Sequence, residues 1–143
     1  MRDNETDDTG VRSASQERER LCIVGIGASA GGLEAIREML SEASPESNLA
    51  YVVVQHLDPN HESLLAELLG RHTALTVRQV SGGEQIAPGN VYIIPPGHGL
   101  SVSGGVLHTT EFAQPRGLRR PIDDFFESLA IDQGRFAACV ILS

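Results

Sequence analysis

Leu21-Cys22-Ile23-Val24-Gly25-Ile26 is a continuous apolar run that passes directly into a glycine-rich segment, Gly27-Ala28-Ser29-Ala30-Gly31-Gly32. An unbroken apolar run suits a strand covered on both faces, which is the situation of strands in parallel sheets flanked by helices. From Gly32 onward Leu33, Ile36 and Leu40 recur at helical spacing, with Glu34, Arg37 and Glu38 on the other side, until Ser44-Pro45 ends the segment. Strand, tight turn and helix therefore follow one another without a break.

The same unit comes again. Tyr51-Val52-Val53-Val54 leads through Gln55-His56-Leu57-Asp58-Pro59 into a helix around Ser63 to Leu69. Beyond Thr76 the pattern changes to short strands with turn signals at Pro88-Gly89, Pro95-Pro96-Gly97 and Ser103-Gly104-Gly105, and an antiparallel hairpin is predicted there. Pro121 suits a helix start, and Ile122, Phe125, Phe126, Leu129 and Ala130 make an apolar stripe before Phe136 to Leu142, read as another buried strand. This alternation predicts an α/β fold: a doubly wound three-layer α/β/α sandwich, mostly parallel, with an antiparallel hairpin at one edge. Site loops in such sheets follow the carboxyl ends of strands. Ser143 comes directly after the last strand, so the domain is expected to be incomplete at its C-terminus.

A length of 143 residues suits one domain. Residues 1–20 are polar and charged with no apolar periodicity, the pattern of a disordered leader, and the domain is assigned to 21–143. That leader lacks the apolar core of a secretory signal, which favours the cytoplasm. No apolar run approaches the roughly 18 residues that membrane insertion needs.

Net charge is −8, and all 11 basic residues are arginine. An acidic chain without a basic face argues against nucleic acid as a partner. The one basic cluster, Arg116, Arg119 and Arg120, either guides an acidic protein partner or is a solvated loop. Cys22 and Cys139 sit in strand-like runs as small hydrophobes, with no disulfide or metal role expected. His61, His72, His98 and His108 lack zinc-ligand spacing, and no metal or organic cofactor is assigned.

The glycine-rich segment supports two functional readings. As Gly27-Ala28-Ser29-Ala30-Gly31 it matches G-x-S-x-G, whose small neighbours permit a sharp turn lifting the serine hydroxyl above the sheet edge. As G-x-G-x-x-A, ending at Ala30, it would seat a dinucleotide pyrophosphate on the helix N-terminus. That reading needs an acid at the end of the second strand, where Gln55-His56 stand instead. His56 ends the strand expected beside the first, within reach of Ser29, and an imidazole there can take the serine proton as attack begins. The bland alternatives remain open: a small residue in a tight turn for Ser29, and a polar ring at a loop entrance for His56.

From Ile23 to Leu142 the chain resembles the catalytic domain of CheB-type protein-glutamate methylesterases. The resemblance is carried by Gly27-Ala28-Ser29-Ala30-Gly31-Gly32, Val54-Gln55-His56-Leu57, Pro88-Gly89-Asn90-Val91-Tyr92-Ile93-Ile94-Pro95-Pro96, Pro121-Ile122-Asp123-Asp124-Phe125-Phe126 and Val140-Ile141-Leu142-Ser143. It implies a hydrolase that removes methyl esters from receptor glutamates, and deamidates glutamines, without a metal or organic cofactor. Ser29 matches the nucleophile and His56 the base, and backbone amides around Ala30 and Gly31 would bind the oxyanion. The implied partner is a methylated chemoreceptor or related signalling protein.

The resemblance also places the family's triad aspartate just after the strand ending at Leu142-Ser143. Asp123 and Asp124 match a helix segment instead, and Asp58 follows His56 too closely to orient it. Loss of such an aspartate lowers turnover about ten-thousand-fold, so the chain as given is expected to be nearly inactive. Missing elements would leave sheet edge and apolar surface uncovered, with poor stability or association expected. The leader in place of a receiver domain, together with Ala30 and Gln55-His56-Leu57-Asp58-Pro59, looks most like esterase modules at the start of fusions with methyltransferase and sensor domains. A module that keeps the fold without turnover is the alternative from another class.

Overall fold

The structure, a computed structural model, describes residues 20–55, 65–112 and 120–143. Five parallel strands form the central sheet: β1 (Cys22–Ala28), β2 (Leu49–Gln55), β3 (Thr76–Gln79), β4 (Asn90–Ile93) and β7 (Ala137–Leu142), in the order β3-β4-β2-β1-β7. β5 (His98–Ser103) and β6 (Val106–Glu111) pair antiparallel as a separate two-stranded sheet. The α-helices among the described residues are α1 (Leu33–Ser41), α2 (Leu65–Gly70) and α3 (Pro121–Gln133). The predicted α/β sandwich is therefore present, with two refinements. The short strands β3 and β4 join the main sheet in parallel, and the hairpin shares no ladder with it.

Residues that alternate along a strand point to opposite faces, so each apolar run feeds two cores. On one face Ile26, Tyr51, Val53, Val91 and Ile93 meet Ile36 and Leu40 of α1 and Leu65 and Leu69 of α2. On the other, Ile23, Val52, Val54 and Tyr92 meet Phe125 and Leu129 of α3 and Leu100, Val102 and Leu107 of the hairpin. The hairpin thus finishes a layer that α3 alone does not cover. Its turn is Gly104-Gly105, both at positive φ (60° and 74°), the backbone that a two-residue hairpin connection demands.

Polar ties fix that layer. The Asp132 carboxylate near the end of α3 accepts from the Gly104 and Gly105 amides at 2.6 and 3.0 Å, and Ser128 Oγ accepts from the Val102 amide at 3.1 Å. A hydrogen bond from the Gln133 side chain, assisted by those two amides, holds the Asp132 carboxyl below its ordinary pKa.

Two expectations differ from what is found. Of the α3 stripe, Phe125 and Leu129 are fully buried, Ile122 and Phe126 partly, and Ala130 is exposed. Ala130 lies on the flank with Phe126, and a methyl group there is too short to reach the sheet. The run from Phe136 is a strand only from Ala137, and β7 is not buried: Ala138, Cys139 and Ile141 are exposed. Among the described residues β7 pairs with β1 alone. Both cysteines lie in strands and are free thiols; Cys22 is half-buried, whereas Cys139 is exposed rather than packed away.

Candidate functional site

β1 and β2 run in register, so that Ala28 lies opposite Gln55 on one side and opposite Leu142 of β7 on the other. Ser29 follows at the carboxyl end of β1, exposed, and Ala30–Gly32 make one 3-10 turn that continues into α1. Strand order reverses here, since β2 is laid to one side of β1 and β7 to the other. In open α/β sheets that is where ligands bind.

Ser29 has φ −82° and ψ 173°, relaxed extended backbone, and no glycine of the segment takes positive φ. The turn is therefore tight but unstrained, unlike the strained elbow that the G-x-S-x-G motif describes. What holds it is a set of backbone ties. The Ser29 amide donates to the Leu142 carbonyl at 3.2 Å, and the Ser29 carbonyl accepts from the Gly32 amide at 2.9 Å. Gln55 Nε2 donates to that same carbonyl at 3.1 Å.

The glycines serve packing. A Cβ on Gly27 would lie 2.5 Å from Cγ2 of Ile122, and one on Gly25 3.0 Å from Cδ2 of Leu129, so both let α3 press against β1. A Cβ on Gly32 would lie 2.9 Å from the Leu142 carbonyl oxygen, which makes Gly32 the point where the turn meets the end of β7. Gly31 has ordinary space: a Cβ there would sit 3.8 Å from Ser143 C and 4.0 Å from Ser29 Oγ. The open side of Gly31 thus faces the serine hydroxyl and the end of β7. Ala30 and Gly31 open the helical turn, where amides have no acceptor within the helix.

His56 lies outside the described residues, as do Asp58, His61, the start of the helix expected at Ser63, Arg116 and Arg119, and the leader up to residue 19. The strand that leads to His56 ends at Gln55, hydrogen-bonded to Ser29. Arg120 pairs with Asp123 at 3.0 Å on the surface, an ordinary exposed ion pair. Among the described residues, no group of three His, Cys, Asp or Glu side chains could hold a metal ion. None of the described helices is long and apolar enough to cross a membrane. For a dinucleotide, the end of β2 offers no carboxylate to the ribose hydroxyls among the described residues; Gln55 is buried and engaged elsewhere.

Sequence reasoning assigned no role to Gln55 or to the carbonyl of Leu142. Gln55 carried a faint signal, an amide closing an apolar strand, but its partner depends on register, which a single sequence does not reveal.

The family model described as CheB methylesterase matches residues 24–143. A protein-glutamate methylesterase/protein-glutamine glutaminase of Xanthomonas campestris pv. campestris is 37% identical over 125 residues, covering 85% of this chain and 35% of that protein. A protein of the same description from Bordetella avium is 37% identical over 139 residues, covering 93% of this chain and 38% of the relative. The crystal structure of the Thermotoga maritima CheB methylesterase catalytic domain superposes with a TM-score of 0.73 at 29% identity, covering 85% of this chain and 66% of that one. The chain thus spans little more than a third of the length of these curated relatives.

Proposed function

The chain belongs to the CheB methylesterase family, and from that premise we propose that it is a serine hydrolase segment acting on glutamyl methyl esters of chemoreceptors or related signalling proteins. Deamidation of receptor glutamines is part of the same reading, since the relatives are described as methylesterase and glutaminase together. The observation that carries it is the position of Ser29: exposed, at the carboxyl end of β1, where strand order reverses, and tied to the end of the strand that leads to His56.

In this reading Ser29 Oγ attacks the ester carbonyl carbon while His56 takes the hydroxyl proton. The carbonyl oxygen becomes an oxyanion, and the amides of Ala30 and Gly31 are assigned to receive it. When the carbon–oxygen bond to the methoxy group breaks, His56 returns the proton and methanol leaves. Water then adds to the acyl-enzyme, again losing a proton to His56, which returns it to the Ser29 oxygen as that bond breaks, and the glutamic acid formed ionises to the carboxylate. No metal or organic cofactor enters these steps.

The orienting partner of His56 is assigned to an aspartate in a loop following β7 in the whole protein, and without it turnover falls by about ten-thousand-fold. The chain is read as the start of a cytoplasmic fusion with methyltransferase and sensor domains, on the strength of Ala30 and Gln55-His56-Leu57-Asp58-Pro59. The test is methanol release from a methylated receptor by the whole protein, with Ser29→Ala as the blank. Release that disappears in the blank supports the esterase. A folded whole protein that releases none favours a binding module of the same fold.

A further inference from the structure

Gln55 is a polar side chain among apolar ones. It closes β2 after Ala50 to Val54, all buried, and is itself 8% exposed, the one polar residue in the buried core of the described residues. A carboxamide at that depth has given up water and needs a protein partner. It finds the Ser29 carbonyl, 26 positions away in the chain.

The consequence follows from the relaxed backbone of Ser29. Because φ and ψ lie in a broad basin, the turn does not fix its own orientation, and external ties must. Gly32 ties the Ser29 carbonyl from within the turn, Leu142 ties the amide from β7, and Gln55 ties the carbonyl from β2. Only the last is a side chain, and it belongs to the residue immediately before His56. A glutamate at this position would set a carboxylate against a carbonyl oxygen, acceptor against acceptor, so the choice of amide over acid has a physical reason.

We propose that Gln55 is a positioning residue: its Nε2 donor holds the Ser29 peptide, and through it the serine hydroxyl, at a fixed distance from the end of β2 where the base is carried. Gln55 contacts no reacting atom in this role. The proposal rests on the reading of Ser29 as the nucleophile.

The experiment is phosphonylation of the whole protein by an alkyl fluorophosphonate, in which the Ser29 oxygen bonds to phosphorus and fluoride leaves, followed by peptide mass spectrometry. Saturation of the rate separates probe binding from the maximal rate. Gln55→Met keeps the reach of the side chain and removes the donor; the maximal rate should fall about ten- to a hundredfold with probe binding unchanged. Gln55→Glu should show the same loss at neutral pH. Its rate relative to wild type should then climb as pH falls and the introduced carboxyl gains a proton to donate. A Gln55→Met protein labelled at the wild-type rate overturns the proposal while leaving the nucleophile in place, as does a Gln55→Glu ratio that is flat with pH. If Gln55→Glu does not fold, Gln55→Met decides alone. A wild-type protein with no Ser29 adduct removes the nucleophile reading and this proposal with it.

Discussion

β2 and β7 flank the same strand, and both read in sequence as unbroken apolar runs, yet six of the seven residues of β2 are buried and none of the six in β7 is. The difference lies in their neighbours. β2 has β1 on one side and β4 on the other, with helices over both faces, whereas β7 is paired with β1 alone among the described residues. An apolar run therefore specifies a strand, and its depth is set by what packs beside it. For the site this means two unlike walls. On the β2 side Ser29 is held against a dense core through Gln55; on the β7 side it is held by backbone contact with a half-exposed strand.

That contrast breaks first, and most visibly, in stability. Ile26 is fully buried opposite Val53 of β2, whereas Ile141 in β7 is 65% exposed. Ile26→Ala is expected to lower the unfolding free energy by about 2–5 kcal/mol. In the 143-residue chain Ile141→Ala should stay within about 0.5 kcal/mol. Urea titrations of the two variants read both numbers, and equal losses would mean that β7 is as well covered as β2.

The contact between turn and β7 is sharpened by the glycines. Gly32→Ala forces a methyl group to 2.9 Å from the Leu142 carbonyl oxygen, and the resulting shift of backbone should cost about 1–3 kcal/mol. Gly31→Ala meets nothing closer than 3.8 Å and should change stability by less than about 1 kcal/mol. Thermal melts of the pair settle whether Gly32, and not Gly31, is the residue the packing requires.

The smallest effect concerns the layer that reaches β7 through α3. Asp132 bonds the hairpin amides as a carboxylate, and its pKa is lowered on folding, so it contributes stability that is complete above its unfolded value of about 3.9. That contribution is lost as pH falls through the lower folded value. Asp132→Asn should destabilise the protein by about 1 kcal/mol at neutral pH, with the gap to wild type closing below about pH 4. A gap independent of pH would show that the charge plays no part.

Much of this is legible in the sequence. Periodicity placed α1 and α3, the apolar runs placed β1 and β2, and the glycine pair at 104 and 105 marked a real hairpin turn. The apolar run and the glycines after it put Ser29 between a strand and a helix, and it stands there, directly after β1. What stayed hidden depends on register and on distant neighbours. Gly27 looked like a turn or phosphate glycine and proves to be room for Ile122. Ala130 shared the helical spacing of its stripe but lies on the flank. Gln55 resembled an obstacle to one ligand and became a tether once Ala28 was aligned with it.

In the proposed reaction Ser29 is the nucleophile and His56 activates it. The measurement that tests this most directly is the site and rate of fluorophosphonate modification in the whole protein and in its His56→Gln variant, mapped by peptide mass spectrometry. The expected result is a single adduct on the Ser29 peptide whose formation slows at least a hundredfold in His56→Gln. An adduct spread over several serines, or one on Ser29 that forms as fast without the imidazole, would contradict it.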